Sequence, residues 1–326
     1  MQPAPGATTA HARHVPRGLF VLAVIGALAG FYILWMHLTT DPLADVHAYY
    51  EAAARLNAGQ PVYQGLGDVH TPLGYPYPPL VAILFRPLAL LPFEAAALLW
   101  EVVMVASFVA TVWWMGVRRT GTWLALGILA LPIAWCISIG QVQVLLTLLV
   151  AIGTPWSIAL AANIKLFPVL VALWWIGRRD WRALGLFIVS LVALALVQLV
   201  LAPQATLDYV TAITLKQVGE VRNISPYVVS PVLWAAMVLV GVALVLRLAP
   251  TRWGWPAAVA LSVLATPRLL VYALMTLLAV LTPPEAMPST VPARTTQADP
   301  EAAAVAPHQG DLDGRMSHPG TVGRQE

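Results

Sequence analysis

Charge is what this 326-residue chain has least of: 10% of its residues are Asp, Glu, Lys or Arg, against 59% hydrophobic. With a mean hydropathy of +0.76, that shortage excludes an ordinary soluble domain. There is one cysteine, Cys136, set in an apolar stretch, which excludes an internal disulfide framework and a cysteine-based metal site. No GxxxxGK(S/T), GxGxxG, HExxH or CxxC pattern occurs, so the motifs of nucleotide-driven transport, dinucleotide binding and zinc hydrolysis are missing. No metal or cofactor is expected. The net charge of +3 is small, and Arg residues gather at the ends of apolar runs. They read as membrane-orientation signals and not as a nucleic-acid surface. The alternating pattern of an outer-membrane barrel is also absent.

What is there is a series of apolar runs approaching the roughly 20 residues that a helix needs to cross a bilayer. They predict an all-α polytopic membrane protein, because backbone in lipid must satisfy its own hydrogen bonds. Residues 1–18 form a polar tail whose Arg13 and Arg17 put the N-terminus in the cytoplasm. The first run, Leu19 to Leu38, is read as a retained anchor, since it is too long for a cleaved signal peptide and no small-residue cleavage site clearly follows. Residues 39–92 are then the first extracytoplasmic loop. Crossings are expected at 93–117 and 123–139, with a return starting at 142–152. The next run, 156–176, carries Asn163, Lys165 and Pro168 at its middle. Charge at mid-bilayer is costly and proline removes a helical hydrogen bond, so 156–176 is read as a broken hairpin with Lys165 near its tip. That also returns Arg178, Arg179 and Arg182 to the side of Arg118 and Arg119. Residues 183–202 and 232–248 cross, 203–230 is a second large extracytoplasmic loop, and 256–281 is broken at Pro267 and Arg268. The membrane domain is thus 19–281. Residues 282–326, rich in Pro, Ala, Gly, Thr and charge, are expected to be a disordered tail.

The chemistry gathers in the polar stretch at residues 39–63. Asp41 is read as the N-cap of an amphipathic helix, with Pro42 at its first position and Asn57-Ala58-Gly59 as its stop. Asp45 then falls in the second turn, where capping does not explain it. It is either a solvated position on an interfacial helix or a carboxylate at the rim of a cavity, able to take a proton from a hydroxyl; Asp41 is second choice for that role. Lys165 and Arg268, each beside a proline in an apolar run, either snorkel or pair, or bind a lipid-linked phosphate. Gln141 and Gln143, at a helix break, serve sugar hydroxyls or join helices. His70, Tyr75 and Tyr77, with His47 and Tyr49, are candidates for sugar or acceptor contacts; an interfacial aromatic belt is the other reading of the tyrosines. Asn223-Ile224-Ser225 matches a glycosylation acceptor weakly.

These residues carry a resemblance. Asp45-Val46-His47-Ala48-Tyr49, Ala52-Ala53, Gly59-Gln60-Pro61-Val62-Tyr63 and Tyr75-Pro76-Tyr77-Pro78-Pro79-Leu80 resemble the N-terminal signature of glycosyltransferase family 87. Gly140-Gln141-Val142-Gln143 is similar to that family's Gly-Gln-Val-Asn, and Lys165-Leu166-Phe167-Pro168 to its Lys-x-x-Pro. The resemblance implies a GT-C-like bundle of about eight to ten full and broken transmembrane helices. It implies a multi-pass plasma-membrane enzyme with its site facing outside, moving a hexose, foremost mannose, from a polyprenyl-phosphate donor to a glycolipid or glycan hydroxyl, with inversion. It gives the base role to Asp45. Gln143 stands where the family has Asn, Ala273 where many relatives have Asp or His, and the apolar region ends at Leu281 where relatives often continue. The alternatives are a transporter or flippase of a lipid-linked or anionic substrate, whose ions also sit at helix breaks, and an inactive shortened relative.

Overall fold

The computed structural model describes residues 16–63, 75–212 and 222–282. Among them there are helices and no strands. Four helices are long and apolar enough to cross a membrane: α1 (Arg17–Thr40), α4 (Phe93–Met115), α10 (Trp181–Leu201) and α12 (Pro231–Leu248). This is an all-α polytopic membrane protein. Two of the four start on side-chain caps: Asp180 caps α10 by accepting from Ala183 N at 3.0 Å, and Ser230 caps α12 ahead of Pro231. In the most apolar windows of α1 and α12 only 6% of residues are buried, against 33% in α4. The first two therefore present apolar surfaces suited to lipid, while α4 buries one face, with Trp100 and Met104, against the bundle and leaves the other open.

The expected single crossing at 123–139 is instead two helices, α5 (Thr120–Ile128) and α6 (Ala130–Ser138), bent by 65° at Leu129. Pro132 has no N–H for the Ile128 carbonyl, and its ring crowds that turn. On this bend α1 packs closely. Gly26 and Gly30 let its backbone meet that of Gly127, Ile128 and Ala130, where any Cβ would collide.

Short elements meet at one end of the bundle: α2 (Ala44–Asn57), α3 (Pro79–Phe85), the start of α7 (Gln143–Ile152) and the end of α8 (Pro155–Ile164), while α9 (Ala172–Arg178) runs away from it. Helix α7 begins at Gln143 and α8 ends beside Lys165, whose ammonium reaches Gln143 at 2.7 Å. The chain thus leaves this end through α7 and returns through α8. It leaves again through a 3-10 turn (Phe167–Val171) and α9, where Trp174 packs on Trp255 with ring centroids 5.3 Å apart. Trp255 opens α13 (Gly254–Leu264) and donates to Ala279 O, late in the 3-10 helix Val271–Leu281, whose start lies back by Lys165. The hairpin reading of 156–176, with Lys165 at its turn, holds.

A buried chain of amides ties this end together. Leu80 N donates to Gln198 Oε1 at 3.0 Å, and Gln198 Nε2 donates to Asn163 Oδ1 at 2.6 Å. Arg182 lies 16 residues before Gln198, about 24 Å along α10 at 1.5 Å per residue. Trp100 of α4 also sits at this end, and Arg118 follows 18 residues later. Helix α9 packs on α12, so Arg178, Arg179 and Arg247 share the opposite end. The second loop starts with α11 (Pro203–Ala212) and resumes at Arg222. The expected tail falls outside the described residues.

Candidate active site

The site is built on the break after α6. Gly140 has φ +66°, and a Cβ there would run into the Val46 side chain and come within 3.0 Å of Glu101 Oε1. Glycine is required both by the turn and by the close approach. Trp100 Nε1 holds the Gly140 carbonyl at 2.8 Å. Two other carbonyls at the end of α6 lack helical partners and are taken by α2: Leu43 N donates to Ser138 O and Asp45 N to Ile139 O, both at 3.1 Å. This docking holds Leu43 at φ +62°, an unfavourable value for a side-chain-bearing residue.

That geometry corrects the expected helix start. Helix α2 begins at Ala44 after Leu43, and Asp41 closes α1, exposed, instead of capping α2. Asp45 accordingly lies in the first turn and not the second, where the helix N-terminus favours a negative charge. The stop is as expected, with Gly59 at φ +67° and Gln60 N bonded to Arg55 O at 2.9 Å. Asn57 Oδ1 accepts from Arg86 Nε at 2.8 Å, and Asn57 Nδ2 donates to Arg86 O at 3.0 Å, which clamps this end to α3.

Asp45 keeps part of its surface open while its carboxylate is held from behind. Gln141 Nε2 donates to Asp45 Oδ2. The Gln141 Oε1 accepts from Tyr49 OH at 2.7 Å and Tyr77 OH at 3.1 Å. Two phenols therefore fix which end of the amide meets Asp45. Tyr49 OH in turn accepts from Val142 N at 3.2 Å. Tyr49, Gln141 and Tyr77 are buried, so these bonds are shielded from competing water. Burial pushes the Asp45 carboxyl up to about 6, against the opposing pull of Lys165 and Arg268.

The cationic side is built the same way. Lys165 Nζ donates to Gln143 Oε1 and lies 5.2 Å from the Tyr77 ring centroid and 4.9 Å from that of Tyr272. Gln143 Nε2 donates to Thr276 Oγ1 at 2.6 Å, and Thr276 and Thr147 share a hydroxyl bond at 2.9 Å. Arg268, half-buried, stands in the non-helical stretch between α13 and the 3-10 helix that starts at Val271. A carboxylate, an ammonium and a guanidinium thus face one locality at one end of the bundle.

Not every candidate is there. His47 is exposed and stacks on Phe93, centroids 3.7 Å apart. It lies two residues from Asp45, on the other side of α2. Tyr75 is 1% exposed; its hydroxyl donates to Pro78 O and accepts from Ala82 N, so it shapes the turn into α3. His70 lies outside the described residues. Gln141 and Gln143 bond Asp45, the two phenols, Lys165 and Thr276, so both hold the charged groups in place. Sequence reasoning missed Tyr272 and Thr276, both in an apolar run with no local signal; the spacing of four between Tyr272 and Thr276 in a stretch opening after Pro267 and Arg268 was the only trace.

Fold and site together define a polytopic helical membrane protein with a carboxylate–cation site at one end of its helices. Residues 75–287 match the model of glycosyltransferase family 87, and the chain belongs to that family. It is 33% identical over 188 residues to a polyprenol-phosphate-mannose-dependent alpha-(1-2)-phosphatidylinositol pentamannoside mannosyltransferase of Mycolicibacterium smegmatis, covering 51% of this chain and 45% of that protein. It is 30% identical over 235 residues to the protein of the same description from Mycobacterium tuberculosis strain CDC 1551 / Oshkosh, covering 65% and 52%. The chain spans about half the length of the curated relatives it matches. No solved structure matches.

Proposed function

We propose that the protein transfers a hexose, foremost mannose, from a polyprenyl-phosphate donor to a hydroxyl of a glycolipid acceptor, with inversion and with Asp45 as general base. The observation that carries this is Asp45 held by Gln141 in one locality with Lys165 and Arg268. A lipid phosphate leaves readily, so one carboxylate on the opposite face of the sugar suffices to take the acceptor's proton. The two cations stabilise the phosphate charge that develops as the bond breaks, where preorganised charge contributes most. Kinship with polyprenol-phosphate-mannose-dependent enzymes favours mannose as the sugar and a phosphatidylinositol mannoside type of acceptor. Lys165 donates to the Gln143 amide and lies over two rings, within electrostatic reach of Asp45, so its ammonium is held beside the base, where a donor phosphate would depart. The same features would serve a flippase; family membership favours transfer.

The test is a transfer assay in membranes containing the protein, supplied with polyprenyl-phosphate mannose and a phosphatidylinositol mannoside. Mannose is expected on the acceptor with the opposite anomeric configuration. Movement of the donor across the membrane without any transfer would overturn the proposal.

We further place the site at the outer face of the plasma membrane, with α1 entering from the cytoplasm. Support comes from Arg118, Arg119, Arg178, Arg179, Arg182 and Arg247 at the end opposite Asp45, the pattern of cytoplasmic termini. His47 is exposed and the native Cys136 is buried, so a His47→Cys variant provides a clean label. It is expected to react with a membrane-impermeant maleimide in intact cells. Reaction only after lysis would invert the topology.

A further inference from the structure

Asn223 belongs to the stretch read from sequence as a weak glycosylation acceptor. In the fold it is buried, 8% exposed, and its amide is committed elsewhere. Asn223 Nδ2 donates to Pro267 O at 2.9 Å, and Asn223 Oδ1 accepts from Leu269 N at 2.9 Å. The same Oδ1 accepts from Ser225 N at 2.9 Å, and Ile224 N donates to Leu269 O at 2.9 Å. One side chain therefore grips the peptide groups on both sides of Arg268. Helix α13 has ended at Leu264 and the 3-10 helix has not begun, so Pro267 O and Leu269 N have no intrahelical partner there. An amide suits this clamp because it offers a donor and an acceptor in one plane. A carboxylate would set an oxygen against the Pro267 carbonyl, and an alanine would leave both groups unpaired.

Fixing both flanking peptides fixes the Arg268 Cα and the line of its Cα–Cβ bond, the root from which the guanidinium reaches out. We propose that Asn223 is a positioning residue for the transfer reaction, holding Arg268 through these peptides so that the guanidinium meets the donor phosphate. This rests on Arg268 and Lys165 forming the phosphate site. It gives the later part of the second loop, from Arg222 on, a role in donor recognition that neither its sequence nor its kinship assigns.

The test is a double-mutant cycle on the full chain in nanodiscs, with wild type, Asn223→Ala, Arg268→Ala and the double variant. KM and kcat are measured separately for polyprenyl-phosphate mannose and for the glycolipid acceptor, and folding is followed by thermal unfolding. Asn223→Ala is expected to raise KM for the donor about tenfold, the scale of lost hydrogen bonds, with KM for the acceptor unchanged. In the Arg268→Ala background it is expected to add nothing, since its effect runs through that residue. Additive losses, or an equal rise in both KM values, would overturn the assignment. Asn223→Asp, which keeps the two accepted N–H bonds, repeats the cycle if the alanine variant does not fold. Failure of both to fold would show a purely structural residue and overturn it as well. A wild type with no transfer at all would instead remove the transferase reading itself.

Discussion

Asp45→Asn is expected to lower transfer by about a thousandfold, within the range for removing a positioned general base. The substitution changes little else. Asparagine has the shape of aspartate, and its oxygen can still accept from Gln141 Nε2, so the Tyr49, Tyr77 and Gln141 hydrogen bonds behind it are retained. What is lost is an ionised oxygen able to take the acceptor's proton. Wild-type kcat/KM should show the same group as an acid limb. Asp45 must be ionised to act, its pKa is raised, and the rate should fall as pH drops through about 6. The residual activity of Asp45→Asn should lack that limb. An unimpaired asparagine variant, with protein levels and unfolding temperature as in wild type, would remove Asp45 as the base.

The long spans were legible because length and hydropathy decide them: α1, α4, α10 and α12 lie within a few residues of the expected runs. The hairpin around Lys165 was legible for a related reason, since a charge and a proline in an apolar run leave few low-cost arrangements. The bend at Leu129 was also written in the chain, in Pro132, but one proline near a run's middle is compatible with a straight crossing wherever neighbours absorb it. The start of α2 was not legible. Local rules favour Asp41 and Pro42 as cap and first residue, and they lost to two backbone bonds from Leu43 and Asp45 to the end of α6, about 95 residues away. Similarly, the two glutamines were recognisable as polar residues at a break, but their targets were not. Gln141 meets Asp45 and Tyr49, and Gln143 meets Thr276, at separations of 96, 92 and 133 residues. The residue types that make a site can be read locally; which of them meet is a property of the folded bundle.

Lys165→Met is expected to lower kcat/KM for the polyprenyl-phosphate donor by about a hundredfold, the scale on which a preorganised electrostatic contact acts in a transition state. Methionine keeps an unbranched apolar stem of similar length and removes the ammonium that lies over the Tyr77 and Tyr272 rings. The loss should fall on the donor, because Lys165 lies on the cationic side of the site while Asp45 meets the incoming hydroxyl. KM for the acceptor should stay within about twofold, as for a group outside its binding. Lys165→Arg is expected to recover part of the rate, since a guanidinium supplies charge but cannot reproduce a compact ammonium on Gln143. Folding offers a competing explanation: the variant leaves the buried Gln143 Oε1 without its donor, at a cost of about 1–3 kcal/mol. The two causes separate kinetically. A destabilised protein loses active molecules, which lowers the shared apparent kcat and leaves each KM alone, whereas a lost phosphate contact also raises the donor's KM and leaves the acceptor's KM alone. Equal losses for donor and acceptor, tracking a lower unfolding temperature, would assign Lys165 to the fold and leave Arg268 as the cation facing Asp45.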